Sequence, residues 1–170
     1  MGEEPTRTDP PPGGVAVVPI ENMVIEALHQ AGRSMAVAES LTGGTISARL
    51  CSCPGTEGRM LGGLVSYDTS VKRRLLAVEG PVVSGPASVQ MARAVRELFD
   101  ADVGLSLTGV AGPERQEDQP VGTVYVGWST PETEGCRQLS CAGAPDQIRR
   151  ESAEQALSVL LEALNGDHTS

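Results

Sequence analysis

Residues 34–51 read SMAVAESLTGGTISARLC and join a short apolar run to a helix-like run through a glycine pair. The run 34–39 is short and apolar, which predicts a buried β-strand. Residues 42–51 predict an α-helix that starts at the glycine pair, Gly43 and Gly44. Strands that alternate with helices are typical of α/β proteins, so this stretch indicates that fold class.

The sequence on either side extends the same pattern. Apolar residues recur at helical spacing from Ile20 to Ala31, and Gly32 follows as a helix stop. Further strands are predicted at 62–68, 102–109, 121–130 and 135–142, and further helices at 69–78, 84–99 and 145–165. Helices and strands alternate first, and a hairpin joined by PETE follows. The order predicts a single-domain α/β sandwich with a mixed sheet flanked by helices.

The length of 170 residues suits one domain. We expect that domain to span residues 19–166. Residues 1–18 are rich in acids and prolines and predict a disordered arm, and residues 167–170 predict a frayed tail.

Composition excludes several classes of function. The chain has 13 Lys and Arg against 22 Asp and Glu, a net charge of −9, which argues against nucleic-acid binding. No apolar run reaches the roughly 18 residues of a membrane span, and the start of the chain lacks the basic and apolar regions of a signal peptide. We therefore expect a cytoplasmic protein with no nucleic-acid or membrane partner.

The sequence gives little support for a metal or cofactor. The four cysteines occur as Cys51-x-Cys53 and Cys136-x4-Cys141, and neither spacing is the usual zinc knuckle. No phosphate-binding P-loop and no dinucleotide fingerprint is present. With only two histidines, one in the tail and one late in the first helix, a Ser-His-Asp triad is improbable. An activated serine would need lysine as its base.

Three junctions rich in glycine or hydroxyl residues follow predicted strands, at 39–45, at 66–68 running on to Lys72, and at 108–113. Ligands of open α/β sheets bind outside the carboxyl ends of the strands. We therefore expect these junctions to converge on one crevice.

Each junction has a functional and a purely structural interpretation. Ser40 stands before a glycine pair whose N–H groups suit an oxyanion or a phosphate, but Ser40 or Thr42 could simply cap a helix. Lys72 lies about one turn into the next helix, where burial would lower its pKa and let it accept a proton beside Tyr67. Alternatively, residues 72–74 form a solvated basic face.

The remaining candidates are a strand end and a helix start. Thr108 and Gly109 suit close contact with a ligand, or they form only a tight turn. Arg149, in the first part of the last helix, suits a phosphate, or it is solvated with Arg150.

The ordered motifs resemble the C-terminal domain of the competence/damage-inducible protein CinA over residues 20–165. The matching stretches are AESLTGG, GGLVSYDTSVKRRLLAV, VVSGPASVQMA, LSLTGVAGP, PVGTVYVGW and IRRESAEQAL. That family includes stand-alone nicotinamide-nucleotide amidases. The resemblance implies hydrolysis of nicotinamide mononucleotide to nicotinate mononucleotide and ammonia, without metal or cofactor, by a homo-oligomer.

The resemblance also implies roles for individual residues. Ser40 would be the nucleophile and Lys72 the general base, with Tyr67 beside it. The backbone of the first junction would hold the oxyanion or line the substrate. The nucleotide would lie near Thr108 and Gly109, and its phosphate near Arg149. These substrate-binding positions are Thr42, Gly43, Gly44, Thr108, Gly109 and Arg149.

The chain departs from the family pattern at three places. Many members have an acidic residue at the position of Gly85, a glycine pair in the loop at 114–119, and an arginine near the position of Pro145. These departures leave two alternatives. One is a non-catalytic module that binds a nucleotide or a partner in a competence or DNA-damage response. The other is an amidase for a different small amide.

Overall fold

The computed structural model describes residues 17–166. The predicted arm as far as residue 16 and the predicted tail at 167–170 lie outside the described residues. The elements within that range are α1 (Ile20–Ala31), β1 (Met35–Glu39), α2 (Thr45–Cys51), β2 (Met60–Val65), α3 (Thr69–Leu76), α4 (Gly85–Leu98), β3 (Val103–Gly109), β4 (Thr123–Ser129), β5 (Glu134–Ser140) and α5 (Pro145–Gly166). Each predicted helix and strand has its counterpart there.

The strands form one mixed sheet in the order β2-β1-β3-β4-β5. β1 pairs in parallel with β2 and β3, whereas β3–β4 and β4–β5 are antiparallel. The fold prediction of an α/β sandwich with a mixed sheet is therefore confirmed. The three parallel strands end at Glu39, Val65 and Gly109 on one edge of the sheet.

Helices cover both faces of the sheet because the parallel strands are buried on both sides. Successive side chains of a strand point to opposite faces. Accordingly, Met35 and Val37 of β1 belong to the core under α1, α2 and α5. Ala36 and Ala38 belong to the core under α3 and α4. None of the helices between residues 17 and 166 is both long and apolar enough to cross a bilayer.

Helix caps explain where two element boundaries differ from prediction. α2 begins at Thr45 rather than at residue 42, because Gly43 and Gly44 adopt positive φ angles of 62° and 102° and form a turn. β2 ends at Val65 rather than at residue 68, because the Asp68 carboxylate caps α3 by accepting the Ser70 N–H at 2.7 Å.

α4 lies close to the sheet over two glycines. A Cβ atom at Gly104 of β3 would come within 2.0 Å of the Ala92 carbonyl oxygen, and one at Gly127 of β4 within 2.3 Å of the Ser88 carbonyl oxygen. Backbone atoms cannot give way as a flexible side chain can, so these positions require glycine.

We predict that Gly104→Ala lowers the free energy of unfolding by about 1–3 kcal/mol, the usual cost of forcing an extra methyl group into a packed layer. Urea titration followed by circular dichroism measures this loss. Gly166→Ala is the control, because a Cβ atom there meets nothing within 4 Å. Equal stability of the two variants would contradict the close helix–sheet packing.

Candidate active site

A crevice opens at the carboxyl ends of the three parallel strands, with a volume of about 120 Å³. Each of the three junctions contributes to it, through Ser40 after β1, Tyr67 after β2 and Gly109 at the end of β3. Its full lining is Ser40, Leu41, Tyr67, Gly109, Val110, Ala111, Gly112, Glu114 and Gln116. The crevice thus lies where the strand order of an open sheet places ligand sites.

The carboxylate of Glu39 lies buried beneath this crevice and organises the start of α2. Its Oε2 accepts the N–H groups of Gly44 and Ile46, both at 3.1 Å, and its Oε1 accepts the Ser47 N–H at 2.8 Å. The hydroxyls of Thr42 and Ser47 donate to it as well, at 2.7 and 2.6 Å. Two donors in the first turn of α2, the N–H groups of Ile46 and Ser47, are therefore taken by the protein's own carboxylate.

This arrangement corrects the predicted cap. The Thr42 hydroxyl donates to Glu39 and caps no N–H group, so the interpretation of Thr42 as a helix cap is wrong. Gly44 N–H is engaged with Glu39, and Gly43 N–H donates to the Ser40 carbonyl at 3.2 Å. Neither glycine amide is free to receive a ligand in this structure.

Ser40 is held by its backbone and leaves its hydroxyl free. Its N–H donates to the Leu107 carbonyl at 3.1 Å, and Arg149 Nε fixes the next peptide by donating to the Leu41 carbonyl at 3.2 Å. Within residues 17–166, Ser40 Oγ has no hydrogen-bond partner. The side chain is therefore available to a molecule in the crevice.

The peptides that follow Ser40 offer two free donors. Within the described part of the chain, the N–H groups of Leu41 and Thr42 donate to no protein acceptor. Because the N–H and C=O of a trans peptide point in opposite directions, the Leu41 N–H points away from Gly43 and the Thr42 N–H away from Arg149. These amides, rather than those of the glycine pair, are the candidate oxyanion donors.

Lys72 is almost completely buried, with 2% of its surface exposed. Its Nζ donates to the Tyr67 carbonyl at 3.1 Å, which sets it beside the crevice wall. Burial lowers the pKa of Lys72, and the carboxylates of Asp68 and Glu117 oppose this shift. Among the described residues, no hydrogen bond joins Lys72 to Ser40.

Other predicted positions have different surroundings. The Thr108 hydroxyl is buried and donates to the Val82 carbonyl at 2.6 Å, so it faces α4 rather than the crevice. Arg149 Nη1 donates to Asp146 at 2.8 Å while its Nε holds Leu41. Tyr67 is 68% exposed at the mouth of the crevice.

Sequence reasoning gave no role to four residues near the crevice. Glu114 and Gln116 line it, and Glu117 accepts the Val83 N–H at 2.9 Å while lying close enough to Lys72 to influence its pKa. Glu39 is the fourth of these residues. The sequence does contain a signal for it, because a charged residue at the end of an apolar strand needs a buried partner. No group of three or more His, Cys, Asp or Glu between residues 17 and 166 is arranged to hold a metal ion.

A model of the CinA C-terminal domain family matches residues 18–164. A CinA-like protein from Frankia casuarinae is 40% identical over 154 residues, which cover 86% of this chain and 35% of that protein. A putative competence-damage inducible protein from Geobacillus sp. strain WCH70 is 40% identical over 147 residues, which cover 82% of this chain and 35% of that one. The chain spans about a third of the length of these curated relatives.

Solved structures with the same fold come from the CinA superfamily. A superfamily protein from Klebsiella pneumoniae 700603 has a TM-score of 0.82 at 28% identity, covering 86% of this chain and 96% of that one. One from Escherichia coli has a TM-score of 0.80 at 29% identity, covering 85% and 90%.

We predict that Glu39→Gln destabilises the fold by about 1–3 kcal/mol for each buried donor left without an acceptor. The amide nitrogen of glutamine would face N–H groups that now meet a carboxylate oxygen. Urea unfolding measures the loss, and hydrogen exchange at Ile46 and Ser47 locates it. Glu26→Gln, the same change on the exposed side of α1, is the control, and equal effects of the two would contradict this role of Glu39.

Proposed function

Because the chain belongs to the CinA C-terminal domain family, we propose that it hydrolyses the carboxamide of nicotinamide mononucleotide to nicotinate mononucleotide and ammonia. One observation carries the proposal. Ser40 Oγ is unpartnered in a crevice whose wall is bonded to a buried lysine with a lowered pKa. Amide hydrolysis needs such a nucleophile and such a proton acceptor.

In the proposed mechanism, Ser40 Oγ attacks the carboxamide carbon and neutral Lys72 accepts the hydroxyl proton. The C–N bond of the tetrahedral adduct then breaks, and Lys72 returns the proton to the departing ammonia. Water hydrolyses the resulting ester, which releases the carboxylate and restores Ser40. Lowering the pKa of Lys72 supports this cycle, because only the neutral amine accepts a proton.

We further propose that the N–H groups of Leu41 and Thr42 hold the oxyanion of the adduct. Both amides lack a protein acceptor among residues 17–166 and directly follow Ser40. Donors fixed in advance at the position of developing charge make the largest single contribution in many acyl-transfer enzymes. Arg149 supports this geometry by holding the peptide between the two residues.

The charge of the crevice suits the proposed substrate. Among residues 17–166, the side chains that line it include the carboxylate of Glu114 and no basic group. The nicotinamide ring of the mononucleotide carries a positive charge, which a carboxylate attracts. The phosphate would lie outside this lining, and Arg149, one-third of whose side chain is exposed, remains a candidate for it.

Two further properties belong to the proposal. The cysteines are unpaired thiols, as is usual in a reducing compartment, which supports a cytoplasmic location. The strong negative charge supports a small-molecule substrate rather than a nucleic-acid partner.

A non-catalytic module that binds a nucleotide or a partner in a competence or DNA-damage response is the second candidate. The observation that favours it is the lack of a hydrogen bond between Ser40 and Lys72 in this structure. Such a module would bind the mononucleotide without turnover. An amidase for another small amide would instead prefer a phosphate-free amide in a substrate panel.

We predict that the purified protein releases ammonia from nicotinamide mononucleotide and that Ser40→Ala lowers kcat by roughly 10⁴-fold or more, as expected for the loss of a nucleophile. A coupled ammonia assay measures the rate, and calorimetry checks that the variant still binds substrate. Ser52→Ala, an exposed serine at the end of α2, should leave the rate unchanged. Wild-type protein that binds the mononucleotide but never turns it over would refute the proposal.

We predict that Lys72→Met lowers kcat by roughly 10²–10⁴-fold, the usual contribution of a general base, yet stabilises the fold at neutral pH. Below its ordinary pKa, a buried lysine binds a proton more readily in the unfolded chain than in the folded one. The stability of the wild type therefore rises with pH between the lowered pKa of the folded protein and the ordinary lysine pKa of 10.5.

Urea unfolding of wild type and variant across that pH range tests this linkage. The extra stability of Lys72→Met should shrink as the pH approaches the upper end. Arg73→Met, which removes a charge from the exposed side of α3, should show no such trend. A variant less stable than the wild type at every pH would overturn the prediction.

A further inference from the structure

The two edges of the sheet differ in how they are protected. β5, at one edge, carries Glu134 and Arg137, which form ion pairs with Arg93 and Glu162. Charges on an edge strand discourage pairing with another chain. β2, at the other edge, reads MLGGLV and carries neither a charge nor a proline.

The outer side of β2 has free backbone groups. Ser66 N–H points inward, to the Glu39 carbonyl of β1 at 2.7 Å. Because the N–H and C=O of one residue in a strand lie on the same side and the side alternates along the strand, Gly63 and Val65 direct theirs outward. Within residues 17–166, these outward groups have no hydrogen-bond partner.

Two apolar side chains stand beside these groups. Leu61 is 42% exposed and Val65 is 46% exposed, and both lie on the sheet face that carries α2. They flank Gly63 symmetrically, two residues before it and two residues after it. The strand is therefore complementary to itself about Gly63.

We infer that β2 pairs antiparallel with β2 of a second copy of this chain, about a two-fold axis that passes Gly63. A two-fold axis normal to the sheet leaves each side chain on its own face of the sheet. Residues directly opposite each other in an antiparallel pair also share a face, whereas neighbours along a strand do not. The axis must therefore pass between the two copies of one residue. Gly63 then exchanges hydrogen bonds with Gly63 of the partner subunit. Leu61 lies opposite Val65 of the partner subunit, and the two five-stranded sheets become one.

The distribution of charge makes the β2 edge a more favourable place for a second copy to bind than the rest of the surface. The chain carries a net charge of −9, so two copies repel each other over most approaches. The stretch 60–67, MLGGLVSY, has no charged residue. Pairing there brings apolar side chains together without bringing acidic ones into contact.

Leu61→Lys tests the interface by light scattering after size-exclusion chromatography. We expect a wild-type dimer, and for the variant a dissociation constant raised roughly tenfold or more, because the ammonium group would lie against Val65 of the partner subunit. Met23→Lys is the matched control, since Met23 is 44% exposed but lies on α1. A monomeric wild type, or equal effects of the two substitutions, would overturn the inference.

A pair of double variants tests the register. Residues 61 and 65 of one strand are too far apart to pair within one chain, but each faces the other across the axis. Leu61→Lys with Val65→Asp should therefore restore the dimer, whereas Leu61→Lys with Val65→Lys should not. Failure of the opposite-charge variant to recover, with its fold intact by circular dichroism, would count against this pairing.

Hydrogen exchange supplies a readout that does not depend on any variant. The amides of Gly63 and Val65 should become protected as protein concentration rises through the dimer range. Protection of the same amides in a monomer, independent of concentration, would mean that residues 1–16 or another segment of the chain cover the edge, and would overturn the inference.

Discussion

The buried carboxylate of Glu39 ties the central strand of the sheet to the helix that follows it, and the geometry of the crevice depends on this tie. A buried carboxylate is costly unless donors match its charge. Here the N–H groups of Gly44, Ile46 and Ser47 supply the match, and the dipole of α2 adds to it. Glu39 thereby fixes where α2 begins. Ser40 sits on the short connection between two anchored elements, with its hydroxyl turned outward.

This tie also decides which donors remain for a ligand. The start of a helix commonly binds the anion of a substrate, but the anion at the start of α2 is part of the chain. Within the described range 17–166, the N–H groups of Leu41 and Thr42, one residue and two residues after Ser40, remain without an acceptor. Capping and oxyanion binding are thus divided between two neighbouring sets of amides. In the proposed mechanism, the N–H groups of Leu41 and Thr42 stay available for the oxyanion, although Glu39 occupies donors at the start of α2.

The amino-acid sequence predicts the elements and their layers better than the local chemistry of the crevice. Apolar runs and helical periodicity depend on neighbours in the chain, so β1, α4 and the final hairpin follow from the sequence. The partner of a polar side chain depends on which face of the sheet it occupies. Thr108 illustrates this, because β3 is buried on both faces and its hydroxyl turns toward Val82 rather than to the crevice. Glu39 illustrates it too, since its partners lie up to eight residues ahead, beyond a turn.

The surroundings of Lys72 show how the loop between β3 and β4 bears on the proposed chemistry. Burial drives the pKa of Lys72 down, and Asp68 and Glu117 draw it back up. Asp68 is fixed as the cap of α3, whereas Glu117 belongs to the loop between β3 and β4 and accepts the Val83 N–H. A general base works best when its pKa lies near the working pH. A substitution of Glu117 is therefore expected to shift the pKa of Lys72, and with it the working pH of the proposed amidase, without altering Ser40 or Lys72.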